Sequence, residues 1–137
     1  MRLTSLALAA LTSLSLPGPA PAEPYLIDKS HAFVTFTVDH LGFSMVHGQF
    51  LDFDLEIDFD PGNVEATRVR FSIKTASVET FHAARDGQLR SAAFFASDRC
   101  PEMVFISTAV KPTGSDTADV TGMLAIRDVT REITLQT

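Results

Sequence analysis

Two stretches of the chain alternate apolar and polar residues with a period of two. In the first, Ala32, Val34, Phe36 and Val38 share one parity against Phe33, Thr35, Thr37 and Asp39. In the second, Leu51, Phe53, Leu55, Ile57 and Phe59 alternate with Asp52, Asp54, Glu56 and Asp58. Successive side chains of a strand point to opposite faces, so each stretch predicts a strand with one greasy side and one polar side. The second run, Val46 to Phe59, is 14 residues long; a usual strand has about five or six, and this length suits the wall of a barrel. Between the two, Leu41-Gly42-Phe43-Ser44 interrupts the alternation, and Gly42 predicts a bend or bulge. Asp60-Pro61-Gly62-Asn63 predicts a turn, because proline presets φ while glycine and asparagine accept positive φ.

Further along, Val69, Phe71 and Ile73 alternate with Arg68, Arg70, Ser72 and Lys74. This strand carries positive charge on the face that would meet the acidic side of the preceding one, which predicts cross-strand ion pairs of about 0.2–1 kcal/mol each. From Val78 to Ser97 the alternation stops and the composition turns alanine-rich, predicting a helical insert with Thr80 as its N-cap. Gly87 costs about 1 kcal/mol there, so the helix should be short or broken. Strands resume at residues 103–110, 118–126 and 131–136, after a short apolar lead at Tyr25-Leu26-Ile27-Asp28. The fold class expected is all-β: an antiparallel barrel with a helical insert, with six strands where a small closed barrel has about eight.

Residues 1–22 read as an export signal: Arg2, then an apolar run from Leu3 to Leu16, then Ala20-Pro21-Ala22 as a small-x-small cleavage site. The run is shorter than the roughly 20 apolar residues a membrane span needs. Residues 23–137 are then one domain of 115 residues, periplasmic or secreted, with no stable span once the leader is removed. Without Arg2 the chain holds 10 basic and 17 acidic residues, a net charge of −7. That sign argues against nucleic acid and against docking by charge on an anionic membrane. Cys100 is the one cysteine, so no internal disulfide forms, and it reads as a small, mostly buried residue at the start of a strand.

Several ordered segments carry a resemblance. Tyr25-Leu26-Ile27-Asp28, HAFVTFTVDHLGFSMVHGQFLDFD, Ser77-Val78-Glu79-Thr80, Ala84-Arg85-Asp86, Leu89-Arg90-Ser91-Ala92, Phe94-Phe95, Pro101 with Phe105, and Thr121-Gly122 through Val129-Thr130 resemble the YceI-like family. These are exported lipid-binding proteins with a lipocalin-like antiparallel barrel. The resemblance implies a noncatalytic protein enclosing a polyisoprenoid, a quinone-type lipid or a similar amphiphile in an apolar pore, with no other cofactor. Strand parity alone implies only an apolar lumen, lined by Val34, Phe36, Val38, Phe50, Phe53, Leu55, Ile57, Phe71, Ile73, Phe105, Leu124 and Ile126; the same residues would equally fill a packed core. Three positions depart from the family: Asp128 stands for a glycine in the last hairpin, Met123 for an acid and Cys100 for an aromatic. The family also continues past the position of Thr137 through a loop and a final strand pair. The expectation is a fragment of a longer reading frame, with a barrel whose exposed edges invite aggregation or a homodimer.

Chemistry beyond binding has little footing in the sequence. His31, His40, His47 and His82 lack zinc-site spacing. His31 and His40 fall in family motif positions, where they either meet a headgroup at the pore mouth or bond local backbone. Arg85 and Arg90 offer directed donors to a phosphate or carbonyl headgroup, or with Asp86 seat the insert on the barrel. The carboxylates of Asp52 to Asp60 have the spacing of a solvated strand face, and no nucleophile or metalloprotease motif is present. Two alternatives stay open: a lipid- or quinone-linked enzyme using His31, His40 or Arg85, and a solid-cored interaction module.

Overall fold

The computed structural model describes residues 23–137; the leader expected at 1–22 lies outside the described residues. Nine strands and one α-helix follow in order: β1 (Glu23–Leu26), β2 (Val34–His40), β3 (Ser44–Phe50), β4 (Phe53–Phe59), β5 (Arg68–Lys74), β6 (Val78–Glu79), α1 (Ala83–Arg90), β7 (Glu102–Pro112), β8 (Ala118–Ile126) and β9 (Val129–Gln136). They form a six-stranded sheet in the order β1-β4-β5-β7-β8-β9 and a three-stranded sheet in the order β2-β3-β6. All pairings are antiparallel. The two sheets make a lipocalin-like wall that does not close on itself.

The expected 14-residue strand is two strands in two sheets. β3 ends at Phe50 and β4 begins at Phe53, with Leu51 and Asp52 at a corner. The paired segment turns the same corner: β5 becomes a 3-10 turn at Thr75–Ser77 and resumes as β6. Phe50 faces Val78 on one side of the corner and Phe53 faces Ile73 on the other, so two residues of one strand span four of its partner. Lys74 N donates to Asp52 O, Leu51 N to Ser77 O, and the Thr75 hydroxyl to Cys100 O at 2.9 Å. Main-chain bonds thus continue across the corner between the two strands. Parity inverts across it: Gly48 and Phe50 point inward before the corner, and Phe53, Leu55 and Ile57 after it.

Register stacks the inward residues in rows. Leu55, Phe71, Phe105 and Leu124 lie opposite one another across β4, β5, β7 and β8, and Phe53, Ile73 and Met103 form the next row. Two buried clusters result. One joins the sheets through Phe50, Val78 and Met103, with Val34, Phe36, Ile73, Leu89 and Phe95 against them. The other gathers Phe105, Val110 and Val120, with Phe71, Leu124 and Ile133 around them. Two glycines make this packing geometrically possible. At Gly48 an added Cβ would lie 2.3 Å from the Phe36 ring, and at Gly122 it would lie 2.4 Å from Ile106 O and 2.5 Å from the Phe105 ring. Each ring is laid on bare backbone, a known way of compensating glycine in a strand.

The helical insert is shorter than the alanine-rich stretch suggested. α1 covers eight residues, and its N-cap is His82, whose Nδ1 accepts from Arg85 N at 3.2 Å. Thr80 is not the cap. It is buried, and both its N–H and its hydroxyl donate to the Asp86 carboxylate, at 2.9 and 2.5 Å. The outer face is charged as expected: Glu56 faces Arg70 and Asp58 faces Arg68 in register. The ion pairs that close among the described residues of this wall are others, Lys29–Asp54 at 2.6 Å and Lys74–Glu102. In the last hairpin the positive φ falls on Arg127 (φ 54), not on Asp128.

Candidate functional site

A cavity of about 410 Å³ lies along β1, β4, β5 and β7 of the large sheet, and its lining takes residues of both strand parities. Its apolar walls include Tyr25, Leu55, Ile57 and Val69. Register puts Tyr25 opposite Ile57 and Ile57 opposite Val69, so these side chains share one face. Ser107 of β7 shares that face, while Ile106, Glu56, Asp58, Arg68 and Arg70 of the lining belong to the opposite, charged parity. The volume falls within the usual range for a small-molecule site. Ser107 is buried and its hydroxyl accepts the Val69 N–H at 2.9 Å, where a bulge between Ser107 and Ala109 shifts the ladder. The bulge thus shapes the wall without leaving Val69 unpaired.

The twelve residues expected to line a lumen divide three ways. Leu55 and Ile57 wall the cavity. Val34, Phe36, Phe50 and Ile73 belong to the cluster between the sheets, and Phe71, Phe105 and Leu124 to the second cluster; Phe53 is buried with its ring edge-on to Phe71 at 6.0 Å. Val38 and Ile126, near strand ends, are exposed.

The four expected pore-mouth residues do not converge. His31 precedes β2 and His40 is the last of its seven residues, so the length of the strand separates them. The Nδ1 of His31 lies 2.8 Å from the Asp28 carboxylate, which itself accepts from Ser30 N and Oγ. Arg85 donates to Thr80 O and Oγ1, and Arg90 donates to Ala76 O at 2.8 Å and Val78 O at 2.7 Å. Arg90 therefore braces the insert against β6 and the turn before it, while Arg85 ties the helix to Thr80 just after β6. The Thr80 hydroxyl, opposed by burial and aided by the Thr80 N–H and the charge of Arg90, holds the Asp86 carboxyl below the usual carboxylate range.

Among the described residues no group of three or more His, Cys, Asp or Glu side chains is placed to hold a metal ion. No described helix is long and apolar enough to cross a membrane. Sequence reasoning had no purchase on Arg99 and Arg127, which join Arg90 around a second, smaller cavity. They lie on separate loops, and only the fold brings them together.

An antiparallel wall of this kind, curved over an apolar inner face with a helical insert at one end, defines a lipocalin-like β domain. The YceI-like domain profile matches residues 25–137, and the chain belongs to that family. A UPF0312 protein of Pseudomonas savastanoi pv. phaseolicola is 46% identical over 132 residues, covering 95% of this chain and 69% of that protein. The crystal structure of the Campylobacter jejuni YCEI protein superposes with a TM-score of 0.64 at 36% identity, covering 82% of this chain and 66% of that one. A polyisoprenoid binding domain from Saccharophagus degradans shares the fold, with a TM-score of 0.51 at 18% identity over 76% of this chain and 58% of that one.

Proposed function

We propose that this protein is a noncatalytic binding protein for a long-chain polyisoprenoid or similar amphiphile, held with its apolar tail against the inner face. The observation that carries this reading is the cavity walled by Tyr25, Leu55, Ile57 and Val69 on one face of the sheet. An apolar chain laid there would gain about 0.8 kcal/mol per methylene removed from water. The polyisoprenoid binding domain of Saccharophagus degradans, a neighbour in fold, makes polyprenyl chains the first ligands to test. Export, with a periplasmic or secreted location, belongs to the same proposal and rests on the leader-like composition of residues 1–22.

The enzyme alternative draws on His31, His40 or Arg85, and these do not gather into one site: His31 precedes β2, His40 ends it, and Arg85 is spent on Thr80. The test is organic extraction of the purified protein followed by mass spectrometry, then reloading after delipidation. Recovery of a polyprenyl or other long-chain amphiphile at near-stoichiometric yield is expected. A delipidated protein that takes up neither polyprenyl nor fatty chains would refute the proposal.

A further inference from the structure

Arg90, Arg99 and Arg127 surround a cavity of about 180 Å³ at the end of the large sheet, with Ala92, Ala96 and Asp98 completing its lining. They come from the last turn of α1, from the loop before β7 and from the β8–β9 turn. In a chain whose net charge is −6, three arginines lining one small cavity make a marked local reversal of sign. Asp98 at the lining and Asp128, 3.0 Å from Arg99, offset part of that charge and leave it positive.

Each guanidinium is held but not exhausted. Arg90 is braced through Nε and Nη2 on two carbonyls, Arg99 meets Asp128 through Nη2, and Arg127 donates through Nη1 to Phe94 O. A guanidinium has five N–H donors, so every one of the three keeps donors to spare. Backbone strain gathers at the same place. Four non-glycine residues among those described have positive φ, and two of them, Ala96 (φ 52) and Arg127 (φ 54), line this cavity. Such strain persists where surrounding structure enforces it, commonly at ligand sites. Ser97, between the lining residues Ala96 and Asp98, has a buried hydroxyl with no partner among the described residues, and its N–H donates to Arg90 O at 3.0 Å. The volume equals about six waters of liquid, room for a compact anion.

We propose that this cavity is an oxyanion site that takes a phosphate or carboxylate group, either as the headgroup of the bound amphiphile or free in solution. The headgroup assignment rests on the lipid-binding reading; the oxyanion site itself does not. Arg127 directly follows Ile126 on the inward parity of β8, across the Leu55, Phe71, Phe105 and Leu124 row from the larger cavity, so only a chain long enough to run the length of that face would bring its polar end here.

The test is calorimetric titration of the protein, at fixed ionic strength, with inorganic phosphate, farnesyl phosphate and farnesol, repeated on Arg99→Gln, Arg127→Gly and the distant Lys111→Gln. Removing either arginine should weaken phosphate or farnesyl phosphate binding about tenfold or more, as loss of a charge-assisted contact does, while Lys111→Gln changes nothing. Arg127→Gly loses the bond to Phe94 O but relieves the positive φ, so its melting temperature should change little, and the melt run beside the titration separates loss of binding from misfolding. Farnesyl phosphate binding tenfold tighter than inorganic phosphate identifies a headgroup site; equal binding identifies a free-anion site. If farnesol does not bind but the arginine dependence persists, the lipid reading falls and the oxyanion site stands. The site is overturned if neither phosphate compound binds, if neither arginine variant weakens binding, or if Lys111→Gln weakens it as much.

Discussion

Gly122→Ala tests how the apolar inner face is built. The new Cβ would lie 2.4 Å from Ile106 O and 2.5 and 2.7 Å from two atoms of the Phe105 ring. Neither neighbour can yield cheaply. Ile106 O is main chain within the β7–β8 ladder, and Phe105 is 2% exposed in the middle of its cluster. Overpacking of this kind costs about 1–3 kcal/mol, and a backbone clash belongs at the upper end. The entropy lost by the unfolded chain on replacing glycine returns only about 0.4–1 kcal/mol. A net loss of about 2–3 kcal/mol follows, about 8–12 °C in melting temperature at roughly 4 °C per kcal/mol for a domain of this size. Gly48→Ala is the internal comparison. Its short contacts are all with the far end of the Phe36 ring, which is only half-buried, so the ring can swing aside and the loss should stay near 1 kcal/mol. Calorimetric or circular-dichroism melts of both variants decide it. A Gly122→Ala protein that melts within 2 °C of the parent, or below which Gly48→Ala falls, would refute the packing argument.

Phe105→Ala should cost about 3–5 kcal/mol in urea unfolding, because a fully buried ring leaves a cavity between β5 and β8. Leu41→Asn should stabilise the β2–β3 hairpin by about 1 kcal/mol in the same assay, since Leu41 holds φ 58 beside Gly42 at φ 75 while 80% exposed, and Asn-Gly suits two successive positive φ values. Asp86, whose carboxyl is held below its usual range, contributes stability that is full above the ordinary carboxylate pKa of about 3.9 and is lost as pH falls through the lower folded value. The urea midpoint of the parent should therefore drop below pH 4, and that of Asp86→Asn should be lower at neutral pH but flatter across the same window; parallel curves would count against it. Ile57→Asn should weaken uptake of a polyprenyl chain about tenfold with a smaller change in melting temperature, measured by reloading delipidated protein.

The alternation of β2, β4 and β5 made the inner and outer faces legible before any coordinates, since a period of two leaves little freedom where one face is buried. The corner at Leu51-Asp52 left a trace that was easy to overlook: Phe50 and Phe53 cannot face the same side of one strand, yet both are core residues. That parity slip is the sequence signature of the sheet change. The 3-10 turn at Thr75–Ser77 matches it on the partner strand and has no apolar pattern to announce it. The length of α1 was foreshadowed by Gly87, whereas its cap was not, because a histidine competes poorly with threonine on propensity and Thr80 was already committed to Asp86. Arg99 and Arg127 could not be paired from sequence, being brought together by a loop and a hairpin turn with no periodic relation between them.

The chain contains no tryptophan, so a single Ile57→Trp substitution makes the cavity wall its only indole. Titrating that delipidated variant with a polyprenyl alcohol, beside a Glu132→Trp control on the outward parity of β9, measures directly whether an apolar chain occupies the inner face. A saturable blue shift from the indole at position 57, with none from position 132, is the result predicted. An unchanged spectrum at position 57, or equal shifts at both positions, would contradict the account.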